Sequence, residues 1–212
     1  MRIHEVQALV MPAMFVVFAV TALTITPSIA QETTGEAGHG GVDEAEMMRR
    51  WQEATTPGAG HEFLEQVVGS WEMRTKMWMG GPESEPVETT GSSEIKWILE
   101  GHYILQESTG SMMGKEHLGH GITGYDNYKK KYVGVWIDNL STAIYPMEGF
   151  LDQTGTVLSM YGAMDEYMTG EHDRMVRYVT RIIDADHHVF EVYDLHGGTD
   201  FKVVEVAYTR VK

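Results

Sequence analysis

The chain predicts an all-β protein: a single antiparallel up-and-down β-barrel of about ten strands, with a short helical plug before its first strand. Three observations lead there. From Gly69 onward apolar and polar residues alternate with period two, first as Trp71, Met73, Thr75, Met77 and Met79 against Glu72, Arg74 and Lys76. Nearly every link between such segments is short and rich in Gly, Asp, Asn and Lys, as hairpins require. A Gly-x-Trp (Gly69, Trp71) opens the run and a Tyr-x-Arg (Tyr208, Arg210) closes it. In an up-and-down barrel the first and last strands are neighbours. Gly69 is therefore read as a tight bend into the first strand, and Arg210 as a cation lying over the Trp71 indole.

The segments ahead of the barrel differ in kind. Residues 1–30 have a polar start with Arg2, an apolar run over 8–25 containing Pro12, and then Pro27 and Ser28-Ile29-Ala30. The small-x-small ending predicts a signal peptide cleaved after Ala30, and so a periplasmic or secreted protein that keeps no membrane contact once cleaved. A retained anchor is the rival reading, and the shortness of the run counts against it. Residues 31–60 form a leader, polar and Gly-rich over 31–41 and predicted to be disordered there. An amphipathic helix follows over 42–54, with Val42, Ala45, Met48 and Trp51 recurring every third residue. The breaker stretch 55–60 then leads into the barrel domain, 61–212. Helical turns over 61–68 would plug one end with Leu64, Val67 and Val68.

Strands are predicted over 69–79, 87–99, 102–108, 122–126, 132–138, 143–151, 157–161, 174–183, 188–195 and 201–211. Residues 109–118 read as a Gly/Met-rich loop. Met112, Met113, Met164 and Met168 fall in the two longest loops, where thioethers could adapt to apolar ligands or simply pack the loops down.

Composition excludes some classes. The 212 residues include no Cys, so there is no disulfide and no thiolate metal site. With 16 basic and 31 acidic residues the formal charge is −15, which repels phosphate backbones and argues against a nucleic-acid partner. No nucleophile elbow, phosphate loop, dinucleotide fingerprint or zinc-protease helix is present.

Four segments carry a family resemblance: 61–71 (HEFLEQVVGSW), 118–139 (LGHGITGYDNYKKKYVGVWIDN), 148–155 (EGFLDQTG) and 189–210 (VFEVYDLHGGTDFKVVEVAYTR). Their motifs are Glu62 beside His61, Gly124-Tyr125-Asp126-Asn127, Trp136, Asp138, Gly149, Asp152, Tyr208 and Arg210. Together they resemble the bacterial DUF1579 family, over roughly residues 61–211. The resemblance implies a calycin-like barrel of the lipocalin and fatty-acid-binding type. It implies no activity, since none is established for the family.

Candidate site residues come from the pattern itself. Pairing Leu195 with Phe201 sets Glu191 opposite Glu205, and pairing Ile183 with His188 sets Thr180 beside Glu191 and Tyr178 beside Tyr193. One face then carries Val176, Tyr178, Thr180, Ile182, Val189, Glu191, Tyr193, Val203 and Glu205. The other carries Arg177, Arg181, Asp194, Lys202 and Arg210, whose cations turn it to solvent. The first face would be the lumen, and its two carboxylates could share a proton, hold a cation, or act as acid and base. A register shifted by one residue would instead place a carboxylate outside, in a surface ion pair. Trp97, Tyr103, Tyr125, Trp136, Tyr145 and Tyr161 would line an apolar pocket or form ordinary core. His117 and His120 could approach one metal if helical, but Gly119 and Gly121 argue for loop, and no metal or cofactor is assigned.

The expected function is binding of a small apolar or amphipathic molecule in the lumen, with oligomeric state left open. Three alternatives stand beside it: an enzyme using Glu191 and Glu205, a haem or metal carrier using a lumen histidine, and a structural envelope protein with a filled barrel.

Overall fold

The computed structural model describes residues 43–81, 83–196 and 200–212. The predicted signal peptide and the leader through residue 42 lie outside them.

The first element is α1 (Glu44–Thr55). The Asp43 side chain accepts the Ala45 N–H at 2.8 Å, and Glu44 and Glu46 sit in the positive first turn. Arg49 and Arg50 reach back to Glu46 at 2.8 and 2.6 Å. None of its residues is buried. A short turn follows, and α2 (Glu62–Glu65) buries Phe63 and Leu64.

Ten strands complete the domain: β1 (Gly69–Met77), β2 (Val87–Ile98), β3 (Tyr103–Met112), β4 (Lys115–Asp126), β5 (Lys131–Asp138), β6 (Tyr145–Leu151), β7 (Val157–Glu166), β8 (Glu171–Asp184), β9 (His187–Asp194) and β10 (Phe201–Arg210). Each pairs antiparallel with its neighbours in sequence, and β1 pairs with β10, so the sheet closes into a barrel. Closure removes every free sheet edge.

One end of the barrel is shut. α2 sits there with Phe63, Leu64 and Val67 against Trp71, Ile95, Ile104, Tyr132, Leu158 and Tyr208. Trp71 is 1 % exposed, and its indole N–H donates to the Val67 carbonyl at 2.9 Å. Arg210 lies 4.0 Å from the Trp71 ring centre and donates to the carbonyls of Val68, Gln66 and Ala185 at 2.7, 3.1 and 2.8 Å. Gly69, at φ 138°, makes room for that guanidinium, because a Cβ there would stand 2.3 Å from the Arg210 Nη1. Arg210 thus shares the face of Trp71, its register partner, and not that of Arg177 and Lys202.

Two expectations need correction. Residues 109–118 are not a loop: β3 and β4 run on through them and meet at a two-residue turn, with Met113 and Gly114 at φ 52° and 75°. Gly110 and Gly114, in an otherwise mostly polar stretch, hid the period of two there. Met164 likewise belongs to β7, whereas Met168 lies in the turn beyond it. The second correction is register. Ile182, not Ile183, pairs with His188, and the ladder shifts between Ile182 and Asp184. Val179 therefore stands opposite Glu191, where Thr180 was expected. A slip of one residue exchanges the two faces of a strand.

Candidate functional site

The slip decides which groups share the lumen. Val176, Tyr178, Thr180 and Ile182 face inward, as their burial and register with Met160 and Leu158 show. Their partners on β9 are His188, Phe190, Val192 and Asp194, and on β10 the inward set is Val204, Val206 and Tyr208. Glu191 and Glu205 do stand opposite one another, but on the outer face. Glu205 is also paired with Lys76, across the strand from inward Met77 and Thr75. Lys202 bridges the two carboxylates, reaching Glu191 at 3.1 Å and bonding Glu205, while Arg181 approaches Glu191 at 3.7 Å. Tyr193 lies on the same outer face beneath Arg177, 4.6 Å from ring centre to guanidinium. The paired carboxylates are an outer ion cluster, so they supply no acid and base to a ligand in the lumen.

The remaining aromatic candidates divide into three groups. Trp97 and Tyr125 face inward at the shut end and serve closure: Trp97 donates to Glu65 at 2.5 Å, and Tyr125 packs edge-on against Tyr132 and His61. Tyr103 and Tyr161 lie on the outer face, which removes them from any lumen lining. Tyr103 covers Gly124 and, with Tyr125, His61 and His102, bounds a cleft of about 170 Å³ under the 54–57 segment. Trp136, Tyr145 and Tyr178 face the half of the lumen away from the plug.

That half has a distinct chemistry. The Trp136 indole lies flat over the backbone of β4, where a Cβ on Gly119 would stand 2.1 Å from its Cζ2. Its N–H donates to the Asp138 Oδ2 at 3.1 Å, and the His117 Nε2 stands 3.8 Å from the same oxygen. His117 and His120 are three apart on a strand, so they fall on opposite faces, and His120 points outward toward Glu107. Among the described residues no cluster of three or more His, Asp and Glu could hold a metal. Tyr145 is buried; its hydroxyl donates to Ser141 at 3.0 Å and meets the Tyr167 hydroxyl at 3.1 Å. Burial pushes the Tyr145 hydroxyl above the ordinary tyrosine range. Arg174 and Asp194 pair at the rim, both largely covered.

Tyr178 is the exception among these polar groups. Its ring stacks on Phe190 with centres 6.2 Å apart, and its hydroxyl is buried without a hydrogen-bond partner. Burial, with a smaller push from Tyr145, drives its ionisation well above the ordinary range, so the group stays a neutral donor. An unmade hydrogen bond at a buried donor costs about 1–3 kcal/mol.

Sequence reasoning missed two further lumen features. Gln106 donates to Ser93, Ser108 and Tyr208, each at 3.2 Å, forming a polar belt halfway along the barrel. His188 is buried at 4 % exposure, stacked on Tyr208 at 4.1 Å and edge-on to Trp71 at 4.3 Å. Burial, then the Arg210 charge, lowers its pKa to about 3. Gln106 and Ser108 sit in the polar run Gln106-Glu107-Ser108-Thr109, which shows no alternation, and polar residues in strands ordinarily mark the solvent face.

A concavity of about 930 Å³ lies outside the barrel, over β1, β2, β3 and β10. Hydroxyls and charged groups line it, including Glu72, Arg74, Thr90, Ser92 and Thr209. It lacks the apolar walls that hold a small organic ligand.

Fold and lumen together define a closed ten-strand barrel of the lipocalin-like kind. The chain belongs to the DUF1579 family, described as a protein of unknown function, whose model matches residues 56–210. No curated protein matches the chain. Solved structures that share its fold include two of note. Rv2717c from M. tuberculosis is 15 % identical, with a TM-score of 0.55 over 74 % of this chain and 100 % of that one. The S-type phycobiliprotein lyase CPES from Guillardia theta is 13 % identical, with a TM-score of 0.50 over 76 % of this chain and 96 % of that one.

Proposed function

We propose that the protein binds a small, largely apolar molecule in the half of the lumen opposite the plug, and that it does so after export with residues 1–30 removed. Trp136, Tyr145, Met164 and the stacked Tyr178–Phe190 pair supply apolar contact, which contributes roughly 25 cal/mol per Å² buried before ordering costs. The observation that carries the reading is the buried, unpartnered Tyr178 hydroxyl. A ligand with one acceptor oxygen satisfies it. The fold shared with a phycobiliprotein lyase supports a small-molecule ligand without naming it.

The test uses a dansylated fatty acid as probe, with native mass spectrometry of the purified chain alongside. Saturable fluorescence uptake is expected, weakened about fivefold in Tyr178→Phe, the loss of one hydrogen bond of about 1 kcal/mol. A parent chain that takes up no probe and carries no co-purifying mass overturns the proposal. Equal binding by Tyr178→Phe removes the hydroxyl from it.

A further inference from the structure

The outer face of β4 to β8 departs from the rest of the barrel surface. Ile122, Val135 and Pro146 stand side by side across β4, β5 and β6. The Pro146 carbonyl lies against Gly162, and the next outward pair on β7 and β8 is Ala163 with Met175. Ile137 extends the band toward the end away from the plug. These side chains are not scattered: Ile122 is 39 % exposed, Val135 38 %, Ile137 44 % and Met175 50 %. A contiguous apolar band of this kind on a soluble protein marks an interaction surface. On a chain of net charge −15 it is also a place where two copies can meet without strong repulsion.

Charge at the two ends of the band says what kind of partner fits. The β4–β5 turn, at the plug end, presents Lys129 and Lys130. The β7–β8 turn, at the opposite end and opposite flank, presents Asp165, Glu166, Glu171 and Asp173, four carboxylates that outnumber the Arg174 and His172 beside them. These corners are diagonal to each other across the band. A twofold axis in the plane of the interface, running along the other diagonal, lays the basic corner of one copy on the acidic corner of the next. The surface is thus complementary to itself, as a twofold dimer demands. Closure of the barrel leaves no edge strand for pairing, so association has to use a face.

We propose that the outer face of β4 to β8 is a homodimer interface, with a second copy of this chain as its partner. The experiment is sedimentation equilibrium of the chain without residues 1–30, up to about 100 µM, with Kd read directly. A dimer is expected. Val135→Lys should yield a folded monomer, since the side chain points away from the core, and circular dichroism reports the fold. Lys129→Glu with Lys130→Glu should weaken association at least tenfold, and adding Asp165→Lys with Glu166→Lys should restore it. A parent chain that stays monomeric throughout overturns the proposal. So does a dimer indifferent to Val135→Lys and to the charge exchange.

Discussion

His188 makes the barrel sensitive to acid, by an amount the structure sets. The imidazole lies between Trp71 and Tyr208 with its Nδ1 unpartnered, and Arg210 stands nearby. Its folded pKa is about 3, against 6.5 for the free side chain. The folded value is depressed, so the unfolded chain takes the proton first as pH falls. Stability from this group is fully present above 6.5, falls as pH drops from 6.5 toward 3, and levels off below. At about 1.4 kcal/mol per pH unit, the loss between pH 7 and 4.5 is roughly 2.5–3 kcal/mol. That is a large fraction of the 5–15 kcal/mol typical of a domain. The assay is urea unfolding of the parent and His188→Phe at both pH values. Phe keeps an aromatic ring in the stack and removes the titrating site. The parent should lose about 2.5–3 kcal/mol more than the variant over this interval. His61, whose pKa is lowered mainly by burial, leaves both proteins with a smaller shared slope. Equal slopes would refute the reasoning and mean that His188 is charged or hydrated in the folded barrel.

Arg210→Ala removes a cation–π contact and three bonds to carbonyls, and should cost about 2–4 kcal/mol in thermal or urea unfolding, with Arg210→Lys intermediate. Gly119→Val drives a branched side chain into the space held by the Trp136 ring; the displaced indole should abolish probe uptake and cost about 1–3 kcal/mol of stability. Glu191→Gln and Glu205→Gln should leave probe binding within twofold of the parent, because both carboxylates lie outside with Lys202; a large loss of binding would place them back in the lumen.

The container was easier to read from the sequence than the lining of its cavity. Alternation from Trp71 onward and short polar links define a meander, and the paired ends Gly69-x-Trp71 and Tyr208-x-Arg210 point to a closed one. Glu191 does stand opposite Glu205, but by another register than expected: Phe201 pairs with Asp194, not Leu195, and a shift between Lys202 and Val204 restores the match. Their side of the wall was not legible. It depends on one shifted residue between Ile182 and Asp184, and nothing in the composition of that turn announces the shift. Apolar residues on both faces of β8, such as Tyr178 and Val179, further blurred inside and outside. The glycines of 119 and 121 read as loop, yet they are the smooth wall against which Trp136 lies. A glycine that breaks a pattern and a glycine that makes room for an indole look alike in one dimension.

The proposed lumen site is tested most directly by the indole N–H resonances of the five tryptophans during titration with the dansylated fatty acid. The Trp136 signal should move in a saturable way, while that of Trp71, sealed at the plug end and bonded to Val67, stays in place. Movement confined to Trp51 on exposed α1, or no movement at any ratio of probe to protein, would contradict a ligand in the lumen.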